Sequence, residues 1–164
     1  MTEPAPTKAE RNAAVAAVLA DGVREGKIPW TDAARIIRAD LRSRQTNKKL
    51  KIPYRSVEAQ RVIDECHVRG EAPPKNGSDD ALHADHVFPL TESDVMVTVT
   101  AEEWLALLEG IGLVVCVTAS ENYDLEKIEK SGVTGWKKYD EANVKVFDIR
   151  DGRPDPLSAN GGES

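Results

Sequence analysis

The sequence predicts an α+β fold with a helical N-terminal part and a mixed C-terminal part. Three observations predict it. Apolar residues recur at helical spacing through the first 68 residues, "RGEAPPKNGSDD" (69–80) is rich in Pro, Gly, Asn and Asp, and strand-like and helical segments alternate after it. We therefore assign 1–7 to a disordered tail, 8–68 to a helical, partly basic region, 69–80 to a linker, 81–150 to the mixed region and 151–164 to a flexible tail.

Three helices are expected in the first region. The first runs from Lys8 to about Glu25, and the second lies in "IPWTDAARIIRADLRSRQ" with Thr31 as N-cap. The third runs from Ser56, its cap, to about Val68. The residues predicted to form the apolar faces of the first two helices are Ala14, Val15, Val18, Leu19 and Val23, then Ala34, Ile37 and Leu41. Joined by "GKIPW", these two helices are either a DNA-binding helix-turn-helix or an ordinary helical pair.

The mixed region predicts strands and helices in turn. "ALHADHVFPL" and the alternating "VMVTVT" (95–100) are strand candidates, and "TAEEWLALLEGIG" is a helix with a Thr100–Glu103 capping box. "LVVCVT" (113–118) is typical of a buried strand. "SENYDLEKIEKSG" predicts a helix capped by Ser120 and stopped by Gly132. A short helix in "GWKKYDEA" and a last strand or extended segment in "VKVFDI" complete the region.

Charge is unevenly distributed along the chain. The net charge is −6, yet residues 35–55 contain eight Lys or Arg against one Asp, so this segment carries +7 and the remainder −13. Such asymmetry indicates either a basic patch for a polyanion such as DNA or a solvated helix face and loop. The acidic remainder leaves open a third reading, an interaction protein with a basic partner. The candidate DNA-binding residues are Arg35, Arg38, Arg42, Arg44, Lys48, Lys49, Lys51 and Arg55.

The chain shows no apolar run of membrane-spanning length, and "MTEPAPTKAER" lacks the apolar core of a signal peptide. Cys66 and Cys116 are far apart in sequence and belong to no CxxC pair. We therefore expect a cytoplasmic protein without a membrane partner, in which both cysteines are free thiols.

Two of the three histidines lie in "LHADHVFPL" (82–90), beside a carboxylate. On a regular strand His83 and Asp85 share a face, whereas Asp85 and His86 point to opposite faces unless the strand bends or ends there. A neutral imidazole can take a proton from water, and a carboxylate can hold a divalent cation. Together these groups could hydrolyse a phosphodiester bond.

This segment resembles the first strand of the HNH endonucleases, the His-Me finger or ββα-metal family, in which Asp-His-Val or Asp-His-Ile precedes Pro-Leu. "LVVCVTASENYDLEKIEK" is similar to the second strand and helix of the phage-type branch, whose helix begins Thr-x-x-Glu-Asn. The resemblance covers residues 82 to 131, about a third of the chain. It implies that 81–150 is a ββα-metal finger with an inserted helix at Thr100–Glu109, and that the protein is a metal-dependent endonuclease acting on DNA.

The same resemblance implies the roles of individual residues. His86 would be the general base, with His83 as an auxiliary group. Asp85 and Asn122 would be ligands of a divalent ion such as Mg²⁺, and Glu126 a further ligand. In the family an asparagine orients the base, but Leu113 stands at its position here, and no zinc-binding cysteines are present. That departure motivates an alternative, a catalytically degenerate HNH-like module that binds DNA or a partner protein as a phage regulator or anti-defence factor.

Overall fold

A computed structural model describes residues 2–43, 48–75 and 77–151. The predicted α+β class is confirmed, since the described residues contain seven α-helices and a four-stranded sheet. The chain divides into two compact units, each built from two stretches. The first unit combines the chain up to Arg44 with Phe88–Leu113, and the second combines Gln45–Val87 with the chain from Val114 onward. The linker predicted at 69–80 therefore falls inside the second unit.

The first unit is helical. It contains α1 (Lys8–Arg24), α2 (Trp30–Ile36), α4 (Glu92–Val97) and α5 (Ala101–Ile111), and a π-helical turn, Ile37–Leu41, continues α2. Its core joins the small residues of α1 to the large apolar residues of α5. The main core residues are Ala13, Ala16, Ala20, Ile37, Trp104, Leu108 and Ile111.

Helix α1 buries a different face from the predicted one. Its start follows local rules, because Thr7 and Glu10 form a reciprocal capping box. Its buried positions, however, are alanines, while Val15 is exposed and Val18 is 67% exposed. Alanine lets the backbone of α1 approach α5 closely. The predicted face was wrong at Val15, at Val18 and at Ala14, which is also exposed.

Two other predictions in this unit need correction. Helix α2 begins after Pro29, which fixes φ for the turn and makes no side-chain cap, so Thr31 is not the N-cap. The strand predicted at 95–100 is wrong, because most of that segment belongs to or directly follows α4. A capping box between Thr91 and Asp94 starts α4, and the guanidinium of Arg24 then binds the carbonyl oxygens of Val95 and Thr98, each at 3.0 Å.

The second unit is a four-stranded sheet between helices. Its strands are β1 (Tyr54–Ser56), β2 (Leu82–His86), β3 (Val114–Thr118) and β4 (Val146–Asp148), in the order β2-β3-β1-β4. Strand β3 is buried throughout and pairs antiparallel with β2 and parallel with β1. The helices of this unit are α3 (Val57–Val68), α6 (Ala119–Lys130) and α7 (Trp136–Glu141).

Helices α3 and α6 begin at caps that are bonded to each other. Ser56 Oγ accepts a hydrogen bond from Ala59 N at 2.9 Å, as predicted, and donates to Glu121 Oε1 at 2.5 Å. Glu121 also completes a capping box with Thr118, so Thr118 and not Ser120 is the N-cap of α6. Burial raises the pKa of Glu121, and the hydrogen bonds from Ser56 and Thr118 oppose that rise.

Candidate functional site

Strand β2 carries the predicted catalytic motif and stays regular to its last residue. His86 pairs with Val114 and Asp85 with Val115. The side chains therefore alternate between the two faces of the sheet. His86 lies on the same face as Leu82, and Leu82 packs with Val62 and Cys66 of α3. Asp85 points to the other face, toward α7. The predicted ligand and the predicted base thus lie on opposite faces of the sheet.

Asp85 is held in a buried ionic cluster. Its Oδ2 accepts a hydrogen bond from the Tyr139 hydroxyl and lies 2.9 Å from Lys138 Nζ. The ammonium of Lys138, which is 0% exposed, also donates to the carbonyl oxygen of His86 at 2.7 Å and to Glu129 Oε2 at 3.2 Å. One buried cation therefore has three oxygen acceptors from β2 and α6. Burial, reinforced by the negative charge of Asp85, raises the pKa of the Tyr139 hydroxyl, which stays protonated as a donor.

The remaining predicted site residues are placed less centrally. Asn122 lies in the first turns of α6, where its Nδ2 donates to Glu126 Oε1 at 3.2 Å, and Glu126 is exposed. His83 is half-buried on the same strand face as Asp85. Leu113, at the position where the family has asparagine, is the last residue before β3. The structure thus brings Asn122 and Glu126 together on α6 and leaves His86 on the α3 side of the sheet.

The carboxylate of Asp85 already has a cation, the ammonium of Lys138, as its neighbour. A cation bound to Asp85 Oδ2 would lie beside the Lys138 ammonium, and two positive charges at such separation in a buried site repel strongly. The amide nitrogen of Asn122 donates to Glu126 on α6. Within the described residues, no group of three His, Cys, Asp or Glu side chains is arranged to hold a metal ion. In this cluster, the positive charge of Lys138 neutralises the carboxylates of Asp85 and Glu129.

The basic segment 35–55 is divided between the two units. Arg35 is exposed on α2, whereas Arg38 donates to the carbonyl oxygen of Leu90 at 2.9 Å and lies over the ring of Trp30. Arg42 is half-buried just after the π-helical turn, and Arg44 lies outside the described residues. Arg38, one of the predicted phosphate contacts, is therefore held by contacts within the protein.

In the second unit, Arg55 is a structural residue of β1. Its Nη1 donates to Gln60 Oε1 at 2.8 Å and its Nη2 to the carbonyl oxygen of Leu50. The carbonyl of Leu50 belongs to a 3₁₀ turn, Lys49–Lys51, which Arg55 thereby fixes beside the sheet. The lysines of this turn are exposed.

These lysines rim a pocket of about 540 Å³. Its walls come from the 3₁₀ turn, from the segment Pro73–Lys75 and from Leu82 of β2. Half of its lining residues are lysines and the other half are apolar, and we call the apolar half its floor. The lining residues are Lys48, Lys49, Leu50, Lys51, Pro73, Pro74, Lys75 and Leu82, and we call this feature the lysine pocket.

The sequence predictions missed Lys138, Tyr139 and Lys75. A short helix is predicted in "GWKKYDEA", but the sequence assigns no role to Lys138, because lysine is rarely buried. The signal in the sequence was Tyr139, directly after Lys138. Buried Tyr and Lys side chains both need a hydrogen-bond acceptor, and Asp85 in "ADH" is such an acceptor. Lys75 was assigned to the linker, although it is the only cation in "EAPPKNG".

Comparisons of the chain with protein-family models, with curated proteins and with solved structures found no match. The resemblance to the HNH endonucleases therefore depends on the two motifs alone and stays a prediction. Among the described residues, none of the helices combines the length and the apolar character that a membrane span requires.

Proposed function

We propose that this protein is a nucleic-acid-binding module that contacts DNA phosphates through the lysine pocket. The observation that carries the proposal is the charge of that pocket. Lys49, Lys51 and Lys75 form no ion pair with any residue in 2–43, 48–75 or 77–151, and no acidic side chain is among the lining residues. Uncompensated cations around one concavity attract a polyanion.

Some other exposed cations of this chain have acidic partners. Arg61 pairs with Glu58 and Glu65, both on α3, and Arg150 pairs with Asp148. Lys130 and Lys137, by contrast, are exposed on α6 and α7, and they do not line the pocket. The feature that favours binding is therefore the convergence of several lysines on one concavity. The pocket also contains three of the eight basic residues predicted to contact DNA.

Fluorescence anisotropy with labelled DNA at 50 mM salt tests the proposal. Lys49→Glu with Lys51→Glu should weaken binding, because it reverses two charges at the rim of the pocket. The matched control is Lys130→Glu with Lys137→Glu, which makes the same charge change at exposed positions of α6 and α7. Equal loss in both double variants would show that net charge alone governs binding, and the pocket would lose its role.

The second candidate is the metal-dependent DNA endonuclease that the motif resemblance implies, with His86 as general base. One observation favours it: β2 and β3 are antiparallel neighbours, and α6 follows β3 and contacts both strands, which is the ββα order. Plasmid nicking with Mg²⁺, repeated with EDTA and with His86→Ala, discriminates the candidates. Cleavage lost in both repeats supports the endonuclease, and DNA binding without cleavage supports the binding module.

A further inference from the structure

The floor of the lysine pocket distinguishes between forms of DNA. Leu50, Pro73, Pro74 and Leu82 contribute apolar groups to the lining of the pocket, and Leu50, which is 48% exposed, is the more accessible of the two leucines. A duplex offers the protein surface mainly phosphate and sugar, with its bases stacked inside. A single strand offers base faces as well as phosphates, so it can cover the floor and satisfy the rim together.

The size of the pocket agrees with an unpaired base as occupant. A volume of about 540 Å³ lies within the range of about 300–1,000 Å³ that is typical of small-molecule pockets. Such a concavity receives one nucleotide, whereas a duplex is too wide to enter it. The lysines at its edge then lie where the phosphates flanking that nucleotide would pass.

Strand β2 extends the same surface beyond the pocket. Leu82, Ala84 and His86 share one face of β2, which is an outer strand of the sheet. Ala84 is exposed, and its small side chain leaves the way open along the strand. Four residues at about 3.3 Å each place His86 roughly 13 Å from Leu82. A DNA strand that leaves the pocket in this direction would pass over Ala84 toward His86.

We infer that the lysine pocket binds single-stranded DNA, with one base against the apolar floor and the flanking phosphates on Lys49, Lys51 and Lys75. This inference rests on the proposed function, because it names the form of DNA that the same pocket binds. Three phosphate contacts give a salt dependence with a slope of about −2, at about −0.7 per contact on a single strand. A rise from 50 to 200 mM salt should then weaken binding about 20-fold.

The test uses the full chain and fluorescence anisotropy with three probes: a labelled 15-nucleotide oligothymidine, the corresponding duplex, and unlabelled thymidine monophosphate as competitor. Leu50→Ser removes apolar floor without changing charge. It should weaken binding of the single strand about fivefold or more, at the lower end of the loss seen for a stacked base, and leave duplex binding unchanged. The matched control is Val68→Ser, at an apolar position that is 85% exposed at the end of α3.

A preference for the single strand that Leu50→Ser removes and Val68→Ser retains supports the inference. Equal affinity for single strand and duplex, insensitive to Leu50→Ser, overturns it and leaves the proposed function standing. Competition by thymidine monophosphate at the same concentration as the oligonucleotide also overturns it, because the pocket would then bind a free nucleotide. If no form of DNA binds, the proposed function itself fails.

Discussion

Replacing Lys138 by methionine should destabilise the second unit strongly. Methionine matches the length of the lysine stem but leaves the Asp85 carboxylate buried without its cation and Glu129 without a partner. The carbonyl oxygen of His86 also loses its donor at 2.7 Å. Removing one member of a buried ion pair costs about 3–5 kcal/mol. For a chain of this size that loss corresponds to a fall in Tm of roughly 6–20 °C.

Urea denaturation followed by circular dichroism measures the free energy of unfolding, and hydrogen exchange shows which unit is affected. Amides of β2 and α7 should exchange faster, whereas those of α1 and α5 should keep their protection. Lys137→Met is the matched control, since Lys137 is exposed on the same helix and its loss should change stability by less than about 0.5 kcal/mol.

A double-mutant cycle separates loss of the ion pair from loss of packing. Asp85→Asn keeps an acceptor for the Tyr139 hydroxyl and removes the charge, so the double variant with Lys138→Met should recover much of the stability lost in the single variant. If Lys138→Met unfolds within 0.5 kcal/mol of the original protein, or if Asp85→Asn restores nothing, the ionic cluster is not what holds β2 to α7.

Three further predictions concern other parts of the molecule. Glu121→Gln should stabilise the protein more at pH 7 than at pH 4.5. The raised pKa of Glu121 favours the folded state at low pH, and the original protein loses that contribution as the pH rises through the folded pKa, whereas Gln does not titrate. Urea unfolding at both pH values checks this, and an unchanged pH dependence would contradict it. Gly112→Ala should cost about 1–3 kcal/mol in thermal or urea unfolding because its Cβ would lie 2.0 Å from the backbone oxygen of Ser43. Gly110→Ala, with open space around it, should stabilise α5 by about 0.5–1 kcal/mol, and similar effects at both glycines would refute the steric reasoning. Burial raises the pKa of Cys116 to about 11, so in a Cys66→Ser background this thiol should react with Ellman's reagent at pH 8 only after denaturation, and rapid native labelling would disprove its burial.

Features that depend on a few neighbouring residues were predictable. The helix starts at Thr100 and Ser56 are confirmed, because a cap needs only a hydroxyl and an amide three residues later. The failed strand at 95–100 shows competition between local signals. Its alternating valines and threonines favour a strand, but the capping box at Thr91 commits the chain to a helix just before it.

Features that depend on distant residues were not predictable. Strand β1 has only three residues, which is too few to show the alternation of a strand in the sequence. It forms because it pairs parallel with β3 and antiparallel with β4. The burial of Lys138 likewise requires Asp85 and Glu129 from other elements. The motif at 82–86 was correctly placed on a strand. The contacts of Asp85, however, come from Lys138 and Tyr139, which are more than fifty residues away in the sequence.

The interleaving of the two units has a consequence for synthesis of the chain on the ribosome. Helix α1 lacks its core partners Trp104, Leu108 and Ile111 until α5 has been made, and β1 lacks its antiparallel partner until β4, whose last residue is Asp148. At about 5–20 residues per second, the edge of β1 that pairs with β4 stays open for roughly 5–18 s after Ser56 is added. The first unit can therefore close while the second still lacks half its sheet. During that interval the nascent chain presents an open strand edge, which makes it a client for chaperones that shield such edges.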